Sequence, residues 1–318
     1  MTRLAVVGSL NADLTLLVDH LPEPGETVVA TSPALVSCGG KGGNQAAAAA
    51  AFGAAVTMVG KVGDDQQGWQ LLADLAARGV DASGVIVASG ARTGGATIAV
   101  DGDGENLILV DPGANSLLSP DEVEAADLGA ADAVIVQLEI PLPAVAAAMS
   151  AAGGGIRLLN PAPAPATALP AALLRVAGVL VPNLAELARL TGDAGPAGLP
   201  SEADLTAVAR LARSLAGTAD VVVTLGSGGA LVVRRSAATS VHVPAPPVAT
   251  VDTTGAGDCF CGTLAASLAE RLDLTDAARL SVAAAALSTT AYGARGNLAG
   301  RAAAEHLADT LSVQVVGG

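Results

Sequence analysis

Short apolar runs of strand length alternate along this chain with longer Ala-rich stretches of helical period. The runs 4–10, 55–59, 133–138, 156–159, 178–181 and 221–225 are built mainly from Val, Leu, Ile and Ala. Between them, 42–52, 66–78, 144–152, 184–190 and 205–215 have the length and composition of helices. Strands that are apolar on both faces and separated by helices indicate a parallel sheet covered on both sides. The predicted fold class is therefore α/β, a doubly wound and mainly parallel sheet with helices on both faces. Two stretches break the alternation. Segments 15–18 with 27–30, and 96–101 with 106–110, suggest short strands joined by Gly, Pro and Asp turns, with DGDGEN as the stronger hairpin signal. Insertions 12–36 and 92–110 would then form a small β-sheet lid on a single domain covering 1–318. The last third is predicted almost entirely helical, over 256–271, 274–292 and 302–311, while 161–170 and 192–200 are predicted loops.

Composition narrows the class of partner. Of 318 residues 51% are hydrophobic but only 1% aromatic, so the core is aliphatic and its helices can approach closely. A formal charge of −14, with 16 Lys and Arg thinly spread, excludes a basic face for nucleic acid or anionic membrane. Mean hydropathy is +0.54. Yet the longest uncharged run, 42–60, is Ala and Gly with Asn44 and Gln45 inside it, unlike a membrane span. The three cysteines, Cys38, Cys259 and Cys261, are too few for a disulfide framework, and Cys-x-Cys is no zinc spacing. A soluble chain in the reducing cytoplasm is the expectation.

Candidate chemistry gathers where strands end. In VDTTGAGDCFCG, small residues Gly255, Ala256 and Gly257 lead directly into an apolar helix, whose free N–H groups would make an anion site. Asp258 in that first turn suits either a favourable charge on the helix dipole or a general base beside the anion site. In SCGGKGGNQA, glycines allow close backbone approach around Lys41 and Asn44, but GxxxxGK[ST] is not satisfied and a bare turn is equally compatible. GSLNAD places Asn11 and Asp13 at the carboxyl end of the first strand, where α/β sheets bind ligands, or simply forms an Asx turn. VPNLAEL fits a capping box between Asn183 and Glu186, and VTLGSGG puts glycines at another strand end. Five such motifs on one sheet edge argue for a site.

Taken in order, the stretches VVGSLNADL, LPEPGETV, CGGKGGNQA, ENLILVDPGANSLLSP, QLEIPL, LNPAP, VPNLAEL, VTLGSGG and VDTTGAGDCFCG resemble the ribokinase family of sugar and nucleoside kinases, from Leu4 to about Asn297. The resemblance implies ATP-dependent phosphorylation of a primary hydroxyl, D-ribose giving ribose 5-phosphate, with deoxyribose, fructose or a nucleoside as alternative acceptors. A sugar-sensing relative would have lost Asp258 or the glycines before it. By the family pattern Asp258 is the base, and Gly255, Ala256 and Gly257 form the anion hole. Asn11, Asp13, Gly40, Lys41, Gly42, Asn44 and Glu139 would hold the sugar, and Asn183, Thr224, Gly226 and Gly229 the nucleotide. Glu186 would meet Mg²⁺ through water. Asp252, Thr254, Ser288, Ala291, Gly293 and Asn297 would surround a monovalent cation, usually K⁺. The lid would pair two subunits into a homodimer. Val282 departs from the polar residue usual near adenine, Tyr292 and Asn297 depart from the usual cation loop, and Cys259 stands where Thr is common.

Overall fold

The computed structural model describes residues 2–165, 167–192, 204–215 and 219–317. The predicted loop 192–200 lies, from 193 on, outside them. The chain opens with strands β1 (Arg3–Val7), β2 (Asn11–Leu17) and β3 (Leu35–Gly39), helix α1 (Lys41–Ala51), β4 (Ala55–Gly63), α2 (Gln66–Ala77) and β5 (Asp81–Ala88). Next come β6 (Gly94–Val100), β7 (Asn106–Asp111), α3 (Pro120–Glu124), β8 (Ala133–Val136), α4 (Leu142–Ala151), β9 (Ile156–Leu159), α5 (Ala171–Val176) and β10 (Val179–Leu180). It continues through α6 (Leu184–Thr191), α7 (Leu205–Leu215), β11 (Asp220–Thr224), β12 (Ala230–Val233) and β13 (Ser240–Val243). Helices α8 (Ala256–Ala269), α9 (Leu274–Ser288) and α10 (Arg301–Ala308) precede a last strand, β14 (Gln314–Val316).

Among the described residues the main sheet has ten strands in the order β14-β13-β12-β11-β10-β9-β8-β1-β4-β5. The strands from β11 to β5 run parallel, and β12, β13 and β14 continue the sheet antiparallel. Side-chain alternation divides each buried strand between two cores. Leu4, Val6 and Ile135 face the layer that holds α1, α8 and α9, while Ala5, Val7 and Val134 face the layer of α4, α6 and α7. The shortage of aromatic rings has a geometric consequence. A Cβ on Gly262 of α8 would run into the backbone carbonyl of Gln45 in α1. Those two helices approach backbone to backbone, bringing the polar start of each beside the other.

A separate four-stranded sheet, β3-β2-β6-β7, stands apart from the main one. Its strands lie within 11–39 and 94–111, against predicted insertions of 12–36 and 92–110. One element differs: 27–30 forms no strand, and Leu35–Gly39 pairs with Asn11–Thr15 instead. The Pro- and Gly-rich flanks of 27–30 leave Val29 exposed, whereas 35–39 leads straight into α1. The predicted strand 4–10 stops at Val7, because Gly8–Leu10 turn so that Asn11 can open β2. Helix 274–292 ends at Ser288, where the carbonyl of Thr289 accepts the N–H groups of Val251 and Asp252 and the chain enters a loop. Strands β5, β12, β13 and β14 were not legible. Ser240–Val243 and Gln314–Val316 are too short and too polar to signal a strand without their neighbours. Among the described residues no helix is long and apolar enough to cross a membrane.

Candidate active site

The start of α1 sits on the end of β1 because glycine permits it. A Cβ on Gly42 would lie 2.7 Å from Ser9 N, and Gly40, at φ +80°, would meet Asn11 N at the same distance. The Gly43 N–H then donates to the Ser9 carbonyl at 2.9 Å. This seating delivers Asn44 and Gln45 to Asp258 across 214 and 213 residues of sequence. Asn44 Nδ2 donates to Asp258 Oδ2 at 2.9 Å and Gln45 Nε2 to Oδ1 at 3.0 Å. Asp258 is buried, at 9% exposure, in the first turn of α8.

A chain of amides fixes which atom faces the carboxylate. Asn160 Nδ2 donates to the Val181 carbonyl at 2.8 Å, so its Oδ1 is left to accept from Gln45 Nε2 at 3.0 Å. Gln45 Oε1 in turn accepts from Gln137 Nε2 at 2.6 Å. A backbone carbonyl can only accept, so the whole network has one consistent orientation. It presents an N–H to Asp258 Oδ1, and Asn44 separately presents one to Oδ2.

The remaining predicted sugar residues surround this centre. Glu139 Oε2 accepts from Ser9 Oγ at 2.5 Å and from the Lys41 N–H at 3.1 Å. Asn11 Oδ1 accepts from Asn115 Nδ2 at 2.8 Å, and Asn115 Oδ1 is held by the Leu10 N–H. Asp13 Oδ1 is buried without a hydrogen-bond partner among the described residues. Burial, and then the charge of Glu139, push the Asp13 carboxyl up to about 6. Burial works to lower the Lys41 ammonium, but Asp258, Glu139 and Glu186 outweigh it and hold Lys41 above its ordinary value. Burial also raises the Glu186 carboxyl. One cation thus faces three carboxylates.

A cavity of about 620 Å³ is lined by Asn183, Thr224, Gly226 and Gly229 together with Ala256 and Gly257, the two residues that precede Asp258 in the chain. Its walls are apolar, with Pro246, Val248, Phe260 and Val282 among them. The N–H groups of Gly255 and Gly257 donate to no backbone carbonyl among the described residues. The Ala256 N–H donates to the Thr253 carbonyl at 3.2 Å, so two of the three predicted anion-hole donors are open. Gly255 sits at φ +75°, and a Cβ there would collide with Ala294. Asn183 and Glu186 form the capping box of α6, each side chain accepting the other's backbone N–H at 2.8 Å.

The predicted cation loop is assembled by Asp252, which accepts from the N–H of Thr254 at 2.9 Å and of Gly293 at 2.8 Å. Burial alone would raise this carboxyl, but those hydrogen bonds hold it below its ordinary range. The carbonyls of Thr254, Ser288 and Ala291 accept no backbone N–H among the described residues, while that of Gly293 takes the Gly296 N–H. The Ser288 hydroxyl is spent on the Ala285 carbonyl, and the Asn297 amide nitrogen on Leu287 and Thr290. Oxygen atoms of Asp252, Thr254, Ser288 and Ala291 suit a hard cation. The Gly293 carbonyl and the Asn297 amide nitrogen also serve the loop's own hydrogen bonds, which leaves a lone pair on Gly293 O and the Asn297 Oδ1 for an ion.

Several site residues escaped the sequence. Gln137 and Asn160 had a usable signal, a lone amide closing an apolar strand. Gln45 stands beside Asn44 in the same block. Arg295, buried beside Asn44, and the pocket wall at Pro246–Val248 lie in loops with no pattern to mark them.

Comparison with known proteins agrees with this geometry. The pfkB family carbohydrate kinase pattern matches residues 1–299. A ribokinase of Staphylococcus aureus is 35% identical over 301 residues, covering 93% of this chain and 96% of its own. A deoxyribokinase of Salmonella typhi is 37% identical over 301 residues, covering 92% and 94%. A bifunctional ribokinase/ribose-5-phosphate isomerase A of Fructilactobacillus sanfranciscensis is 38% identical over 280 residues, 87% of this chain, which spans only 50% of that longer protein. Among solved structures, ribokinase of Thermotoga maritima superposes with a TM-score of 0.85 at 32% identity, over 98% of this chain and all of its own. Arabidopsis thaliana ribokinase complexed with ribose and ATP gives 0.82 at 31%, over 97% and 99%. A buried carboxylate between a polar loop and an apolar cavity, on this fold and with these relatives, has one assignment: the chain belongs to the pfkB family of carbohydrate kinases.

Proposed function

We propose that this protein is an ATP-dependent ribokinase that phosphorylates the 5-hydroxyl of D-ribose. The observation that carries the reading is the position of Asp258. Its carboxylate is held from both oxygens by amide N–H groups on the sugar side, and it follows directly on Ala256 and Gly257, which line the cavity. Asn11, Asp13, Lys41, Asn44 and Glu139 supply the donors and acceptors that vicinal hydroxyls require. The cavity takes ATP, with its phosphates toward the N–H groups at the start of α8. Asp258 accepts the proton of the attacking hydroxyl, and the open N–H groups of Gly255 and Gly257 stabilise charge on the transferred phosphoryl group.

Glu186 would hold Mg²⁺ through water, and the ion would supply neutralisation of phosphate charge when bound with the nucleotide. Oxygens of Asp252, Thr254, Ser288, Ala291, Gly293 and Asn297 would hold K⁺, and the ion would keep the loop before α8 in its binding shape. The small sheet closes over the sugar and excludes water. Its exposed Leu35, Val36, Ile108, Leu109 and Val110 form the surface through which two copies pair. Sedimentation that shows only monomers at micromolar concentration refutes the pairing. Three free thiols fit a cytoplasmic enzyme.

Deoxyribose is the second acceptor to consider, because a deoxyribokinase matches at 37% identity. ADP release with Mg-ATP is measured across ribose, deoxyribose and fructose, with and without K⁺. Fast turnover on ribose that K⁺ stimulates is the expected result. A preference for deoxyribose would replace the acceptor, and no turnover on any sugar would refute the reading.

A further inference from the structure

Arg295 is a buried arginine, at 7% exposure, in the loop after α9. Its Nε donates to Asn44 Oδ1 at 2.8 Å and its Nη2 to the Gly39 carbonyl at 2.9 Å. Its Nη1 pairs with Asp74 of α2 at 2.5 Å. Asp74 is shared with Arg78, which approaches it at 2.9 Å. The Gly-rich loop is shaped around this guanidinium, since a Cβ on Gly43 would run into Nη2. Gly43 is the fourth glycine of the SCGGKGGNQA block, and a Cβ there would also crowd Leu10 Cδ2.

A guanidinium has donors only, so the atom of Asn44 that faces Nε must be the oxygen. The nitrogen of Asn44 is thereby turned to Asp258. One of its hydrogens goes to the carboxylate, and the other is left as a donor for a sugar hydroxyl oxygen. Were the amide reversed, its oxygen would face a carboxylate.

We propose that Arg295 is a positioning residue for the phosphoryl-transfer reaction, locking the Asn44 carboxamide as a donor toward both Asp258 and the sugar. The inference rests on the kinase reading above. It also ties the loop expected to hold the cation directly to the sugar-binding loop.

Two near-isosteric substitutions separate this role from a mere ion pair with Asp74. In R295Q the amide nitrogen occupies the place of Nε and keeps a donor for Asn44, but the charge is lost. In R295K a methylene occupies that place, while the ammonium remains for Asp74. The expected result is a rise in sugar KM of about tenfold or more for R295K, as for a lost hydrogen bond in a charged site. R295Q should stay within about threefold of the parent, and ATP KM should move by less than about twofold in both. In an N44A background R295K should add less than about twofold. A normal sugar KM for R295K with a defective R295Q overturns the proposal, as does a full additional loss in N44A. If the unmodified protein phosphorylates no sugar, the kinase reading falls and the Arg295–Asn44 link is decided separately. The unfolding free energies of ligand-free R295K, N44A and the double variant should then be non-additive, and strictly additive losses overturn the link.

Discussion

The two sides of Asp258 are built by opposite means. On the sugar side, buried amides and carboxylates hold one another in fixed orientations, through Gln137, Gln45, Asn160, Asn44 and Arg295. On the nucleotide side the cavity is walled by Pro, Val and Phe, and its polar lining is limited to short side chains such as Asn183, Thr224, Ser227 and Thr253 and to glycines. A polar network in a low-dielectric interior is costly to leave half-made, so the sugar side tolerates little change. An apolar wall gains affinity from area and shape, which neighbouring side chains can share. Specificity for the acceptor therefore resides in a few atoms, and affinity for the nucleotide is spread over many.

The contrast is sharpened most at its shared point. D258N should lower kcat by about a thousandfold, within the range for losing a general base, with sugar KM little changed. Single-turnover assays decide it, and near-normal turnover would remove Asp258 from the mechanism. Next in size is Q45L. It removes a donor from Asp258 and strands the amides of Gln137 and Asn160, so unfolding free energy should fall by about 1–3 kcal/mol in denaturant titrations and kcat should fall about tenfold.

A smaller effect is expected with pH. The Asp13 carboxyl is raised from 3.8 to about 6 by burial and then by Glu139, so the folded protein holds its proton more tightly than the unfolded chain. The ligand-free fold therefore loses stability as pH rises from 3.8 through about 6. Sugar binding runs the other way, because ionised Asp13 accepts hydroxyl hydrogens. Sugar KM should rise as pH falls through about 6, and D13N should flatten that limb of the profile. An unchanged limb in D13N would assign the titration elsewhere. The least effect belongs to the nucleotide wall: V282S should shift ATP KM by no more than about threefold. A larger shift would mean that this wall, too, is finely specified.

Part of this was legible without coordinates. Unbroken Val and Leu runs determined the parallel core, because a strand buried on both faces has no place for polar alternation. The Gly-rich blocks located both loops, because only glycine allows α1 to sit on β1 and Gly255 to adopt φ +75°. Asp258, Asn44 and Glu139 were found through motifs near strand or helix ends, and the structure brings them together. Strands β12, β13 and β14 were not, since so short a strand exists only through the neighbours it pairs with. Arg295 was invisible for the same reason: its partners, Asn44, Gly39 and Asp74, lie 251, 256 and 221 residues away. Local sequence thus determined which segments fold and where a site must lie. Only the packing of α1 against α8 and the return of the loop after α9 decided how each amide is turned, because a hydrogen bond's direction is set by the partner that tertiary structure supplies.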